Sequence, residues 1–162
     1  MIPSVQRAAT DKVAAALSQV DNKNASVYGK SAEQYKQRIS AKETEIKNKL
    51  QKANVGKVNI IASQRQADFL IWAGFNVVAN YAGPNVLNPQ MVKELVDKGK
   101  LTKVVLVIDN LQDGKDAGRA IAEDLGAIQV NLSNFPGGFE NSETWEKAID
   151  RNVELLIKAL AK

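Results

Sequence analysis

The sequence predicts an α/β fold, a four-stranded parallel sheet flanked by helices and preceded by a long N-terminal helix. Three features predict it. The first third of the chain repeats its apolar residues at helical spacing. From Lys57 onward, short β-branched runs alternate with helical segments, which implies parallel pairing through right-handed crossovers. The clearest of these runs, Lys103–Ile108, is apolar almost throughout, as expected of a strand covered on both faces.

Residues 1–20 read as a helix, with Pro3 in its first turn and Val5, Ala9, Val13, Ala16, Leu17 and Val20 at helical spacing. Asp21-Asn22-Lys23-Asn24 interrupts it. A second helix is expected from Ala25 to Ala53, where Tyr28, Ala32, Tyr35, Ile39, Ile46 and Leu50 form a narrow stripe near heptad spacing. That stripe suits packing on the following domain, or a coiled-coil dimer. Gly56 is expected near the helix C-terminal cap. The expected division is a helical arm at 1–54 and an α/β lobe at 55–162.

Within the lobe, Val58–Ala62 reads as a strand and Gln64–Ala73 as a helix stopped at Gly74. A second strand is expected at Phe75–Ala79, followed by the loop Asn80-Tyr81-Ala82-Gly83-Pro84. Asn88 and Pro89 read as the cap and first residue of a helix. After the strand at Lys103–Ile108, a helix is expected over Asp113–Leu125, capped near Asp113 and ended by Gly126. Ala127–Leu132 reads as the fourth strand, Ser133–Gly138 as a loop, and Ser142–Ala161 as the last helix, with Trp145, Ile149, Val153, Leu156 and Leu160 facing inward.

Composition narrows the chemistry. The 162 residues are 44% apolar and 25% charged, which is globular rather than disordered. No apolar run approaches the ~20 residues a membrane span needs. No segment has the order of a signal peptide, so an export signal would have to lie outside this chain. There is no cysteine and no histidine, which removes thiolate nucleophiles, the commonest metal ligand and the commonest general base. Residues 1–57 carry eleven Lys or Arg against five Asp or Glu, and the remainder eleven against thirteen. The lysines of the arm alternate with glutamates opposite the apolar stripe, the pattern of a solvated helix face rather than of a nucleic-acid surface.

Catalytic motifs are missing. The turn after the first strand, Ala62-Ser63-Gln64-Arg65-Gln66, has no glycine to cradle a dinucleotide, and there is no Walker-type loop. Gly137-Gly138 reads as a turn. Ser63 and Ser133 have no histidine to activate them. Of Asp109, Asp113 and Asp116, only Asp109 stands at a strand end; the other two read as a helix cap and a first-turn charge. The expectation is therefore a ligand holder without catalytic residues, metal ligands or cofactor. A flavodoxin-like enzyme, the competing class, would carry flavin or nucleotide. Ligands of parallel sheets sit beyond the carboxyl ends of the strands. Gln64, Arg65, Asp109, Ser133 and Asn134 are accordingly the expected ligand-binding residues.

Asp21–Tyr35 resembles the D-P-x-N-A-x-x-Y-x-x-N-A-x-x-Y stretch of the zinc- and manganese-type solute-binding proteins of ABC importers. In that family the stretch opens a backbone helix joining two lobes. Lys57–Phe69 is similar to the opening of the family's C-terminal lobe, and Leu101–Asn110 to its strand ending in a V-E-P type turn. Thr144–Leu160 resembles the terminal helix, through Trp145, Asn152 and Leu156. The resemblance covers nearly all of this chain and about half of a family member. It implies a C-terminal lobe plus backbone helix, located outside the cytoplasm and working with the membrane permease of an ABC importer. The family places a His or Glu where this chain has Gln64, and often an Asp where it has Ser133 or Asn134. These neutral groups imply either a chelate or other small solute rather than a bare metal ion, or a relative that has lost binding and serves another role. Self-association of the lone lobe, through its apolar face toward the missing lobe, is a further expectation. The alternative is a stand-alone helical-arm interaction module without a ligand.

Overall fold

The computed structural model describes residues 1–114 and 116–161. They form two compact units, 1–48 and 49–162. The first is a helical hairpin. Helix α1 (Pro3–Val20) and α2 (Ala25–Lys52) are joined by a 3-10 turn at Asn22–Asn24. Asp21 stabilises the corner by accepting hydrogen bonds from Asn24 Nδ2 at 2.8 Å and Tyr28 Oη at 2.7 Å. These bonds hold its carboxyl below the usual carboxylate range. Arg7–Glu43 at 2.7 Å and Lys36–Asp11 at 2.8 Å tie the two helices together farther along. Pairs this exposed contribute only about 0–1 kcal/mol each. Apolar side chains of α1 remain exposed, Val13 at 58% and Val20 at 83%, and Val13 and Leu17 line an open groove with Tyr28, Ala32 and Tyr35 of α2.

The second unit contains the sheet. Its elements are β1 (Asn59–Ser63), α3 (Gln64–Ala73), β2 (Asn76–Tyr81), α4 (Pro89–Thr102), β3 (Leu106–Asn110), α5 (Arg119–Leu125), β4 (Ile128–Leu132) and α6 (Trp145–Leu160). All pairings are parallel, in the order β2-β1-β3-β4. Every residue of β3 is buried, as its apolar composition predicts. Fully burying a side chain such as Ile108 or Leu106 contributes about 1.5–3 kcal/mol.

Side chains alternate between the two faces of the sheet. Ile61 and Val107 enter one cluster with Val96 of α4 and Ile121 of α5. Ile60, Ala62, Leu106 and Ile108 therefore point to the opposite face. Helix α3 packs against β1, β2 and β3, and α6 against β4.

Local boundaries differ from expectation where capping chemistry intervenes. Asn54, at φ 56°, takes the left-handed position beyond α2 that was expected near Gly56. Lys103 caps α4 at φ 55°, so β3 begins three residues later than its apolar run. Strand β2 continues through Asn80 and Tyr81, which were expected in a loop. Helix α5 begins at Arg119 rather than Asp113, because Leu111–Asp113 forms a separate 3-10 turn. Position 115, inside that expected helix, and position 162 lie outside the described residues. Helix α6 starts at Trp145, capped by Thr144, and Leu160 is only half-buried. Asn88 caps α4 as expected, accepting from Met91 N at 2.9 Å.

Candidate functional site

The strand order fixes where a site can lie. From β1 the chain moves to one side to build β2, then returns to the other side for β3 and β4. The crossovers diverge between β1 and β3, leaving a crevice beyond their carboxyl ends. Residues after these two strands, and after the neighbouring β4, build its wall.

Helix α3 starts directly on β1. Ser63, the last strand residue, is its cap, accepting weakly from Arg65 N at 3.4 Å. Gln64 and Arg65 in the first turn are exposed, whereas Gln66 is fully buried. Arg65 reaches across the crevice, and its Nε donates to Asp113 Oδ1 at 2.9 Å. Gln66 crosses at a deeper level. Its Nε2 lies 3.0 Å from Asn110 Oδ1, 3.0 Å from Asn134 Oδ1 and 3.2 Å from Leu132 O. An amide has two such hydrogens for these three acceptors. Gln66 Oε1, Asn110 Nδ2 and Asp113 Oδ2 are buried without a protein partner among the described residues.

The loop after β4 closes this network. Asn152 of α6 clamps the Ser133 backbone, accepting from its N at 3.0 Å and donating to its O at 2.8 Å. The Ser133 hydroxyl accepts from Gln112 Nε2 at 2.8 Å and donates to Phe135 O at 2.8 Å. Gln112 Oε1 accepts from Asn134 N at 3.0 Å. Phe135, next along, is 62% exposed. The wall thus runs continuously from Arg65 through Asp113, Gln112 and Asn134 to Phe135.

Asp109 lies elsewhere. Two residues beyond Val107, it shares that residue's face and points toward the α4–α5 layer, fully buried. Its carboxylate accepts from Tyr81 Oη, from Gly118 N at 2.8 Å and from Gln129 Nε2 at 2.5 Å. Burial raises the Asp109 pKa and outweighs these three donors, which act to lower it. Burial, with the charge of Asp109, also raises that of Tyr81. A Cβ at position 118 would sit 2.5 Å from Tyr81 Oη and 2.7 Å from Val107 Cγ1, so only glycine permits this approach.

Of the five residues expected at the site, Gln64, Arg65 and Asn134 therefore reach the strand-end surface. Ser133 lies buried just behind it with its hydroxyl engaged, and Asp109 is turned away. Sequence reasoning missed Gln66, Asn110, Gln112, Asp113 and Phe135. The two-residue period of β3 carried a signal for one of them: with Asp109 on the face of Val107, Asn110 must share the opposite face with Ile108.

A family model described as the periplasmic zinc-uptake complex component A, ZnuA, matches residues 2–159. No curated protein matches the chain. Solved structures similar to it include the Cd-bound periplasmic metal binding protein of Candidatus Liberibacter asiaticus, with a TM-score of 0.79 and 15% identity over 98% of this chain and 61% of that one. The Mn-bound form of that protein gives a TM-score of 0.78 and 15% identity over 98% and 60%. The SBP FpvC of Pseudomonas aeruginosa, in complex with Mn2+, gives 0.76 and 21% over 93% and 56%. The chain thus spans less than two thirds of the length of these proteins.

Proposed function

Because the chain belongs to the periplasmic zinc-uptake component A family, whose model matches nearly all of it, we propose that it forms one lobe and the connecting helix of a solute-binding protein. That protein works outside the cytoplasm and delivers its solute to the permease of an ABC importer of the metal-uptake class. Its solute is a metal chelate or other small molecule rather than a bare transition-metal ion. The family consists of binding proteins, not of an enzyme class. Capture follows from closure of this wall and a second lobe over the solute, each adding contacts absent from the open state.

The donor set at the crevice is the observation that carries the choice of solute. Zinc and manganese sites are built from imidazole, thiolate and carboxylate groups. This chain has no histidine or cysteine. Among the described residues no group of three or more acidic side chains could hold a metal ion. The carboxylate of the wall, Asp113, is paired with Arg65, and the other polar side chains of the wall are amides and a hydroxyl, beside the ring of Phe135. Neutral polar groups of this kind suit the organic surface of a chelator.

Calorimetric titration of the chain with ZnCl2 and MnCl2 tests the choice, and no saturable binding at micromolar concentration is expected. Tight binding of either free ion would refute it. A second reading, association through the arm, is favoured by the exposed Val5, Val13 and Leu17. Light scattering tests it: a dimer that separates on V13E substitution supports the arm, and a monomer at all concentrations removes it.

A further inference from the structure

We infer that Arg65 is the anchor for a carboxylate of the solute. The inference deepens the solute-binding reading and rests on it for the location of the ligand. The turns beyond the four strands, at 63–66, 82–88, 110–118 and 133–144, hold two basic residues, Arg65 and Lys115, of which Arg65 is the one among the described residues. It stands at the crevice between β1 and β3, where the strand order directs a ligand.

The guanidinium is held by one edge. Asp113 Oδ1 takes the Nε hydrogen, and Asp113 is itself mostly buried, with 18% of its side chain exposed against 64% for Arg65. The two terminal nitrogens have no protein partner among the described residues. A guanidinium offers five N–H donors in a rigid planar fork, and a carboxylate matches two of them at once. Fixing Nε on Asp113 leaves the outer edge of the fork available for such a pair and reduces the rotamer freedom lost on binding.

Asp113 partly offsets the charge of Arg65. The site therefore favours a directed two-point hydrogen bond over non-specific attraction of anions. The neighbouring wall supplies what a multidentate organic acid would need alongside: exposed Gln64, the Asn134 amide and the exposed ring of Phe135. The shared chemistry is thus a carboxylate. Its source is either a metal carried by a polycarboxylate or the free polycarboxylate itself.

Three probes separate these sources: Zn(II)–citrate, citrate alone and ZnCl2 alone, each titrated into the chain and into the R65Q and R65K variants by amide NMR and calorimetry. A citrate-bearing probe is expected to shift the amides of residues 64–66 and 112–114 at millimolar concentration. R65Q should weaken that binding about tenfold or more, because a charge-assisted pair is lost, and R65K should fall between, keeping the charge without the fork. Zn(II)–citrate binding better than citrate identifies the chelate as the source, and equal binding identifies the free acid; both support the anchor. Binding unchanged in R65Q overturns it, as does the absence of any citrate-dependent shift in a variant set whose melting temperatures show intact folding. Tight binding of ZnCl2 alone refutes the preceding choice of solute instead, and the citrate arms still judge Arg65 by themselves.

Discussion

Asp109 and Asn110 are consecutive residues at the end of one strand, yet they belong to two different regions. Asp109 enters a buried pocket on the α4–α5 face, where Tyr81, Gly118 and Gln129 donate to its carboxylate. Asn110 enters a polar cluster on the other face, with Gln66 and Asn134, next to a surface that carries Arg65. The first region spends its hydrogen-bonding capacity internally and fastens β2, β3, β4 and the start of α5 together. The second leaves donors and acceptors spare. A strand end in a parallel sheet thus sends adjacent polar residues into two different environments, and the two-residue period of the strand decides which residue enters which.

Perturbations of the first region should cost stability, and perturbations of the second should cost binding. The largest effect is expected from D109A. It removes the buried acceptor shared by Tyr81 Oη, Gly118 N and Gln129 Nε2, of which Tyr81 keeps Ile108 O at 3.1 Å, and should lower stability by roughly 3 kcal/mol, measured by urea denaturation. A loss below about 1 kcal/mol would mean that the pocket admits water and is not the closed device described. G118A comes next: the added methyl must displace the Tyr81 hydroxyl or Val107, at a cost of about 1–3 kcal/mol. Q66L should cost less, about 1–2 kcal/mol, because the acceptors it deserts are neutral and one of them, Asn134, is only part-buried. R65Q should change stability by no more than about 0.5 kcal/mol while impairing citrate binding, since exposed ion pairs contribute little to folding. An R65Q variant that failed to fold would erase the distinction between the two regions.

The comparison also has a pH signature. The folded-state pKa of Asp109 is raised above its ordinary value by burial. A carboxyl raised in this way opposes folding when ionised, so its cost is fully present above the folded pKa and is relieved as pH falls through it. Relative to D109N, the unsubstituted chain should therefore gain stability on acidification, from the raised folded value down to the ordinary carboxylate range near about 4. Paired melting curves across that interval measure the difference. A constant difference would show that Asp109 titrates as it does in an unfolded chain.

Much of this architecture was readable from sequence patterns. Helix α3 runs from Gln64 to Ala73 as its spacing predicts, because Ser63 and Gly74 mark its ends chemically. The Asn88 cap and the buried β3 were legible for the same kind of local reason. Boundaries set by non-glycine residues in left-handed conformation, Asn54 and Lys103, were not, since propensity gives glycine that role. At the site, Arg65 and Asn134 were legible as polar residues at strand ends. Gln66 was not, because its place in the first turn of α3 does not reveal that it turns inward beneath two loops.

What the sequence by itself determined is the set of local facts: where helices and strands form, that the strands are parallel, and that no imidazole or thiolate exists to bind metal. These follow from periodicity, capping and composition, which need only neighbouring residues. Tertiary structure alone decided the strand order, and with it the crevice between β1 and β3. It also decided the pairing of Arg65 with Asp113 and the meeting of Gln66 with Asn110 and Asn134. Each of these joins residues more than forty positions apart. Such contacts are selected by how layers pack around a shared core, and no local pattern in the chain encodes which distant polar group will arrive opposite another.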